Sequence, residues 1–255
     1  MNLYKEGQLS KKSHRFHGKA DNTAHNYNSR ENIVDINSFR KTSLQKVKLL
    51  PKNLSQEAYI DALENTEKHI VFGIGPAGTG KTYLAALYAI KGLKEGTYNK
   101  IVIVRPNIAV DDRDIGFLPG NILEKMAPWT RPIIEIFEEY FSVKEIKYMI
   151  ENNIIELLPL AHIRGRTLKK SIIILDEAQN TTKSSMLSCL TRIGDDSKLI
   201  ITGDMNQSDR GHVNGLSDFL NRFTNSTKIC ICQFGKKDVE RHPVIDEILS
   251  MYTDK

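Results

Sequence analysis

Apolar residues in this 255-residue chain fall mostly in short continuous runs. "HIVFGI" at 69–74, "KIVIVRP" at 100–106, "IIELLPLA" at 154–161, "SIIIL" at 171–175, "KLIITG" at 198–203 and "KICICQF" at 228–234 each read as a strand. Continuous runs of this kind belong to parallel strands covered on both faces. Helical periods separate several of them. "TYLAALYAIKGL" places Leu84, Leu87 and Leu93 at helical spacing, and "SSMLSCLTRI" does the same with Met186, Leu187, Leu190 and Ile193. "SQEAYIDALENT" adds a helix before the first strand. The alternation predicts an α/β fold with a doubly wound, mostly parallel sheet. The segment 111–153 interrupts it with a turn-rich stretch and then two helical patterns, expected as a helical insertion at the sheet's C-terminal edge.

Residues 1–50 have a different texture. They are rich in Asn, Ser, Lys and His, hold few large apolar residues and sustain no period, so a flexible arm is expected there, with the folded domain over 51–255. The arm also carries the charge. It holds ten Lys/Arg against four Asp/Glu, while the rest of the chain holds 26 against 27, which accounts for the net +5. Such an arm either adds salt-sensitive affinity for nucleic acid or only solubilises.

Composition narrows the setting further. At 40% hydrophobic and 26% charged the chain is globular, neither fibrous nor disordered overall. No apolar run approaches the length of a membrane span, and "MNLYKEGQLS" has no apolar core of a secretory signal. A cytoplasmic protein without a membrane partner is expected. Three cysteines make no disulfide framework. Cys230 and Cys232 share one face of a strand, but no second Cys/His cluster completes a metal site, so they read as small buried hydrophobes.

The chemistry begins at Gly75-Pro76-Ala77-Gly78-Thr79-Gly80-Lys81-Thr82, which fits G-x-x-x-x-G-K-[ST] with a strand before it and a helix after it. Glycines let the backbone curl so that successive N–H groups face one concavity, and the helix N-terminus adds its own donors. Lys81 is expected to bridge the β- and γ-phosphates of ATP, and the Thr82 hydroxyl to ligate Mg²⁺. "SIIILDEAQN" then delivers Asp176 and Glu177 to the carboxyl edge of the sheet, where ligands of such sheets bind. Asp176 is expected to hold the magnesium. Glu177 is expected to orient and deprotonate a water in line with the γ-phosphate, which favours hydrolysis over transfer to a small acceptor. "KLIITGDMNQSD" ends a further strand at the same edge, with Gln207 as a γ-phosphate contact and Thr202 and Asp204 nearby. Gln56, nineteen residues before Gly75, carries an amide able to match the N6/N7 edge of adenine.

Seven blocks together, "GIGPAGTGKTYLA", "RP" at 105–106, "GFLPGNILEKMAPWTRP", "LAHIRGRTL", "IILDEAQNTT", "LTRIG…SKLIITGD..Q" and "VERHPVI", occur in the order found in PhoH-like ATPases. Over residues 51–251 the chain resembles that family, which is itself similar to the first motor domain of superfamily-one helicases. The resemblance implies a RecA-like P-loop fold, ATP hydrolysis, Gln56 as an adenine-reading residue and Gln207 as a sensor. The stretch "SDRGHVNGL" after Gln207 departs from the family pattern. Some relatives add a nuclease or an RNA-binding module; here the arm is too short for the latter, and neither is expected.

One motor domain leaves the ATP site open on one side. A homo-oligomeric ring, hexameric by analogy, would close it with an arginine from a neighbour, with Arg241 in "ERHPV" as first candidate and Arg192 second. Arg164 and Arg166 in "HIRGRT" fit a single-strand phosphate contact, a second arginine finger or an ion pair equally well. Trp129 is a base-stacking candidate or, more simply, a packing residue. Two functions stay open: an ATP-driven motor on single-stranded RNA or DNA, with helicase or translocase action, and a regulatory ATPase acting on a protein partner.

Overall fold

The computed structural model describes residues 46–106, 122–211 and 213–240, together with residues 244, 245, 248 and 251. The arm expected over 1–50 lies outside these apart from 46–50, where Val47 and Leu49 pack on the core. In order the elements are α1 (Leu54–Glu64), β1 (Ile70–Ile74), α2 (Lys81–Glu95), β2 (Lys100–Arg105), α3 (Ile122–Glu138), α4 (Val143–Glu151), β3 (Ile155–Pro159), β4 (Ser171–Leu175), α5 (Lys183–Leu190), β5 (Lys198–Gly203), α6 (Gly215–Arg222) and β6 (Ile229–Gln233). The six strands form one parallel sheet in the order β3-β2-β4-β5-β1-β6.

The continuous apolar runs do what parallel strands require. Val71, Ile101, Ile103, Ile172, Ile174 and Ile200 face one side, where α1 to α4 cover them. Phe72, Val102, Val104, Ile173, Leu199 and Ile201 face the other, under α5 and α6. Each such buried side chain contributes about 1.5–3 kcal/mol relative to exposure. Because both faces are apolar, alternation cannot set the register; the polar strand ends must. A one-residue slip of β4 would draw Asp176 into the sheet.

The two helices expected in 111–153 are present as α3 and α4, and they serve as the crossover between the adjacent parallel strands β2 and β3. Ile133, Phe137, Phe141, Ile146 and Met149 are all buried, so this segment carries part of the core. Trp129 is half-buried against the same core, in the packing role. Cys230 and Cys232 do share one strand face, with sulfurs 3.9 Å apart, and burial pushes the Cys232 thiol up to about 12. No described helix is long and apolar enough to cross a membrane.

At the β3 edge, Glu156 accepts from both terminal nitrogens of Arg166 (2.5 and 2.9 Å) and from Lys100 Nζ (2.9 Å). The hydrogen bond from Arg166, seconded by Lys100, holds the Glu156 carboxyl at about 2, well below the ordinary glutamate value. A depressed carboxylate stabilises the fold above its unfolded pKa, and that contribution is lost as pH falls toward the folded value. Glu156→Gln should therefore lower stability by about 1–2 kcal/mol at pH 7. In urea melts the gap between variant and wild type should shrink steadily from pH 4.5 toward pH 2. A gap independent of pH would show that the pair is not ionic.

Candidate functional site: a phosphate-binding loop facing an acidic strand end

All six strands run the same way, so their polar C-terminal residues meet along one edge. β1 ends there in the loop 75–80, and three of its glycines have positive φ: Gly75 at 148°, Gly78 at 85° and Gly80 at 82°. A Cβ on Gly75 would stand 2.3 Å from the Phe234 carbonyl oxygen, so both conformation and space demand glycine. The loop is tied down on three sides. Gln56 Nε2 donates to the Thr79 carbonyl (3.2 Å), the Ala77 amide donates to Asp204 Oδ2 (3.2 Å), and the Glu240 amide donates to the Gly78 carbonyl (2.9 Å). The amides of Gly78, Thr79 and Gly80 meet no acceptor among the described residues. Lys81, buried at the start of α2, curls its ammonium over the loop onto the Pro76 carbonyl (2.6 Å) and Thr79 Oγ1 (3.1 Å). Unpaired amides around a lysine make an anion cradle.

Opposite the cradle stands the end of β4. Asp176 is buried, and its Oδ1 accepts from Thr82 Oγ1 (2.9 Å) and Thr202 Oγ1 (2.6 Å). The Arg105 Nε lies 3.4 Å from its Oδ2. Glu177 follows in the left-handed region, φ 57° and ψ 43°. A non-glycine residue there stores about 1–3 kcal/mol of strain, and such strain gathers at functional sites. Beyond this kink Arg105 Nη2 holds the Glu177 carboxylate at Oε1 (3.1 Å) and Gln179 Nε2 holds it at Oε2. Arg105 also donates to the Trp129 carbonyl, which ties α3 to the acidic pair.

Gln179 links this corner to the next strand. Its Oε1 accepts the Asp204 amide (3.1 Å), and its Nε2 lies 3.5 Å from the Gln207 carbonyl. Loop, Thr82, Asp176, Glu177, Asp204 and Gln207 together line a cavity of about 270 Å³. The oxygen donors at its floor, Thr82 Oγ1 and the Asp176 carboxylate, are hard ligands with no His or Cys among them. That set fits magnesium, which takes one or two protein oxygens and completes its shell with water and phosphate.

Sequence reasoning placed Gly75, Pro76, Ala77, Gly78, Thr79, Gly80, Lys81, Thr82, Asp176, Glu177 and Gln207 at one site, and the structure brings them to the same strand edge. Gln56 is nearby but behind the loop, its Oε1 accepting the Lys52 amide (2.8 Å) and its Nε2 engaged with Thr79, so here it braces the loop. Arg166 is spent on Glu156, whereas Arg164 is exposed. Arg192 donates to the Arg166 carbonyl (3.3 Å) and to Thr191 Oγ1 (3.1 Å). Arg241 lies outside the described residues. Sequence reasoning missed Arg105 and Gln179 as site residues. The signal for Arg105 was a charge closing "KIVIVRP" at the carboxyl edge; Gln179 offered none beyond its place in "DEAQN".

A family model described as PhoH-like protein matches residues 48–253. The PhoH-like protein of Bacillus subtilis is 41% identical over 203 residues, which covers 79% of this chain and 63% of that one. The PhoH-like protein of Mycobacterium tuberculosis is 42% identical over 222 residues, 86% of this chain and 60% of that one. The Protein PhoH of Escherichia coli K12 is 36% identical over 224 residues, 86% and 62% respectively. The chain thus spans about three fifths of the length of these relatives.

Gly75→Ala tests the packing of the loop. It should destabilise the chain by about 1–3 kcal/mol, read as a lower urea midpoint at unchanged m. A midpoint within error of wild type would show that the close approach of Phe234 is not a constraint.

Proposed function

The chain belongs to the PhoH-like protein family, and from that premise we propose that its strand-edge cleft binds ATP with magnesium and hydrolyses it, in a cycle coupled to binding or remodelling of single-stranded nucleic acid, RNA ahead of DNA. The observation that carries the reading is the Thr82–Asp176 hydrogen bond beside a strained Glu177. The two oxygens are hard donors able to hold a magnesium ion, and the next carboxylate lines the same cavity, which supports the reading.

The residues divide the work as follows. The Gly78–Gly80 amides and Lys81 hold the β- and γ-phosphate oxygens, with Lys81 exchanging its loop contacts for phosphate. Thr82 and Asp176 would hold a magnesium ion, which would supply neutralisation of the phosphate charge. Glu177 accepts a proton as the in-line water attacks the γ-phosphorus, and the bond to the bridging oxygen breaks to leave ADP and inorganic phosphate. Arg105 and Gln179 are positioning residues that fix the direction of the Glu177 carboxylate. Gln207 senses the γ-phosphate, and Asp204 carries that state to the loop through Ala77. Gln56 reads adenine only by releasing Thr79 or Lys52, which would link base binding to loop position. A second copy in a ring, hexameric by analogy, closes the open side and supplies an arginine, with Arg241 as the residue we assign.

Lys81→Ala should weaken ATP binding at least about tenfold in calorimetry, a loss of about 1.4 kcal/mol or more. Unchanged affinity would remove the cradle from the account. Glu177→Gln should keep ATP affinity within about threefold yet cut turnover by about 10²–10⁴, the range of a lost general base. Persistent turnover would mean that another group positions the water.

A further inference from the structure

A second groove opens on the carboxyl edge of the sheet, apart from the nucleotide cavity, with Pro106, Leu160 and Ala161 forming the apolar part of its wall. It has a volume of about 290 Å³, and its walls include Arg164, Asn180, Thr182, Ser185, Ser188 and Arg210. No carboxylate lines it among the described residues. Arg164 and Arg210 are both exposed, and among the described residues neither pairs with an acidic group. Arg105, at the same carboxyl edge, meets two carboxylates instead. Arg210 is aimed rather than loose, because its Nε donates to the Asn180 carbonyl (2.7 Å) and leaves the two terminal nitrogens outward. Asn180 is 4% exposed; its Oδ1 accepts the Asp209 amide (3.0 Å), while its Nδ2 has no acceptor among the described residues. The groove therefore offers two unneutralised guanidinium groups and one fixed amide donor.

We propose that this groove binds the phosphodiester backbone of a single-stranded nucleic acid. The proposal deepens the nucleic-acid part of the function proposed above by giving it a place. A linear polyanion fits better than one small anion: Arg164 follows β3 and Arg210 follows β5, strands about 14 Å apart across the sheet. That separation is beyond the reach of one small anion and spans more than one internucleotide step of a single strand. Contacts to phosphate give affinity and no sequence preference.

The groove also touches the catalytic corner. Its Asn180 ends the turn that begins at Glu177, whose carbonyl accepts the Asn180 amide (3.0 Å). Ser208, on the loop that carries Gln207 and Arg210, donates to the Gln179 carbonyl (3.0 Å). Backbone seated on Arg210 and Asn180 thus bears on the turn that aims Glu177, and polymer binding should raise ATP turnover.

The test measures fluorescence anisotropy of labelled oligo(rU) and oligo(dT) of equal length on the full chain, without nucleotide, over a series of salt concentrations. Each phosphate contact on a single strand contributes about 0.7 to the slope of log K against log salt. Arg164→Ala/Arg210→Ala should weaken binding of at least one oligonucleotide and reduce that slope by about 1.4. Arg222→Ala, an exposed arginine paired with Asp218 elsewhere, should leave the slope unchanged. A wild-type slope in the double variant would overturn the proposal. So would a wild-type protein that binds neither oligonucleotide, equal affinity for a duplex, or full displacement by inorganic phosphate at matched ionic strength. Binding is read without ATP, and hydrolysis without polymer is read separately, so this proposal and the ATPase reading fail independently.

Discussion

Asp176 is the point through which the rest of the site is assembled. Its carboxylate gathers the first turn of α2 through Thr82, β5 through Thr202 and β2 through Arg105. A buried carboxylate is tolerable only when it is paired and hydrogen-bonded, so these three elements must arrive together or the fold carries an unpaired charge. The same constraint fixes the register of β4 between two apolar faces. Stability of the sheet and geometry of the site are therefore one requirement, met at one residue.

Around that residue the site is built in two halves with different mechanical character. The loop side is braced from behind by Gln56, Asp204 and Glu240, with Phe234 leaving room only for glycine at position 75. Its amides at Gly78 to Gly80, without acceptors among the described residues, lie beside the cavity. The acidic side is held under strain: Glu177 is left-handed and clamped by Arg105 and Gln179. Those two clamps lead to α3 and to the Gln207 loop, so the positioning of one carboxylate is open to influence from both.

The fold was legible because continuous apolar strands and helical periods are strong local signals, and Ile172, Ile173 and Ile174 could hardly be other than a doubly covered strand. The glycine loop was legible because positive φ at three positions, and the close approach of Phe234 at one of them, favour glycine there. Arg105 and Gln179 were harder to see, since their roles come from which strands become neighbours: β2 lies beside β4, a fact of topology and not of local sequence. Gln56 illustrates the opposite case. Its helix position was apparent, but its amide is turned into the loop, which only the packed structure displays. Arg164 and Arg166 look equivalent in "HIRGRT", yet Glu156 takes one and leaves the other exposed.

The most direct test of the account is to follow ADP and inorganic phosphate together when the purified chain is mixed with ATP, with and without magnesium. The account predicts equal amounts of both products, formed only with the ion and lost in Asp176→Asn. ADP formed without free phosphate would mean transfer to an acceptor. Turnover that survives the loss of Asp176 would contradict the central place given to that carboxylate.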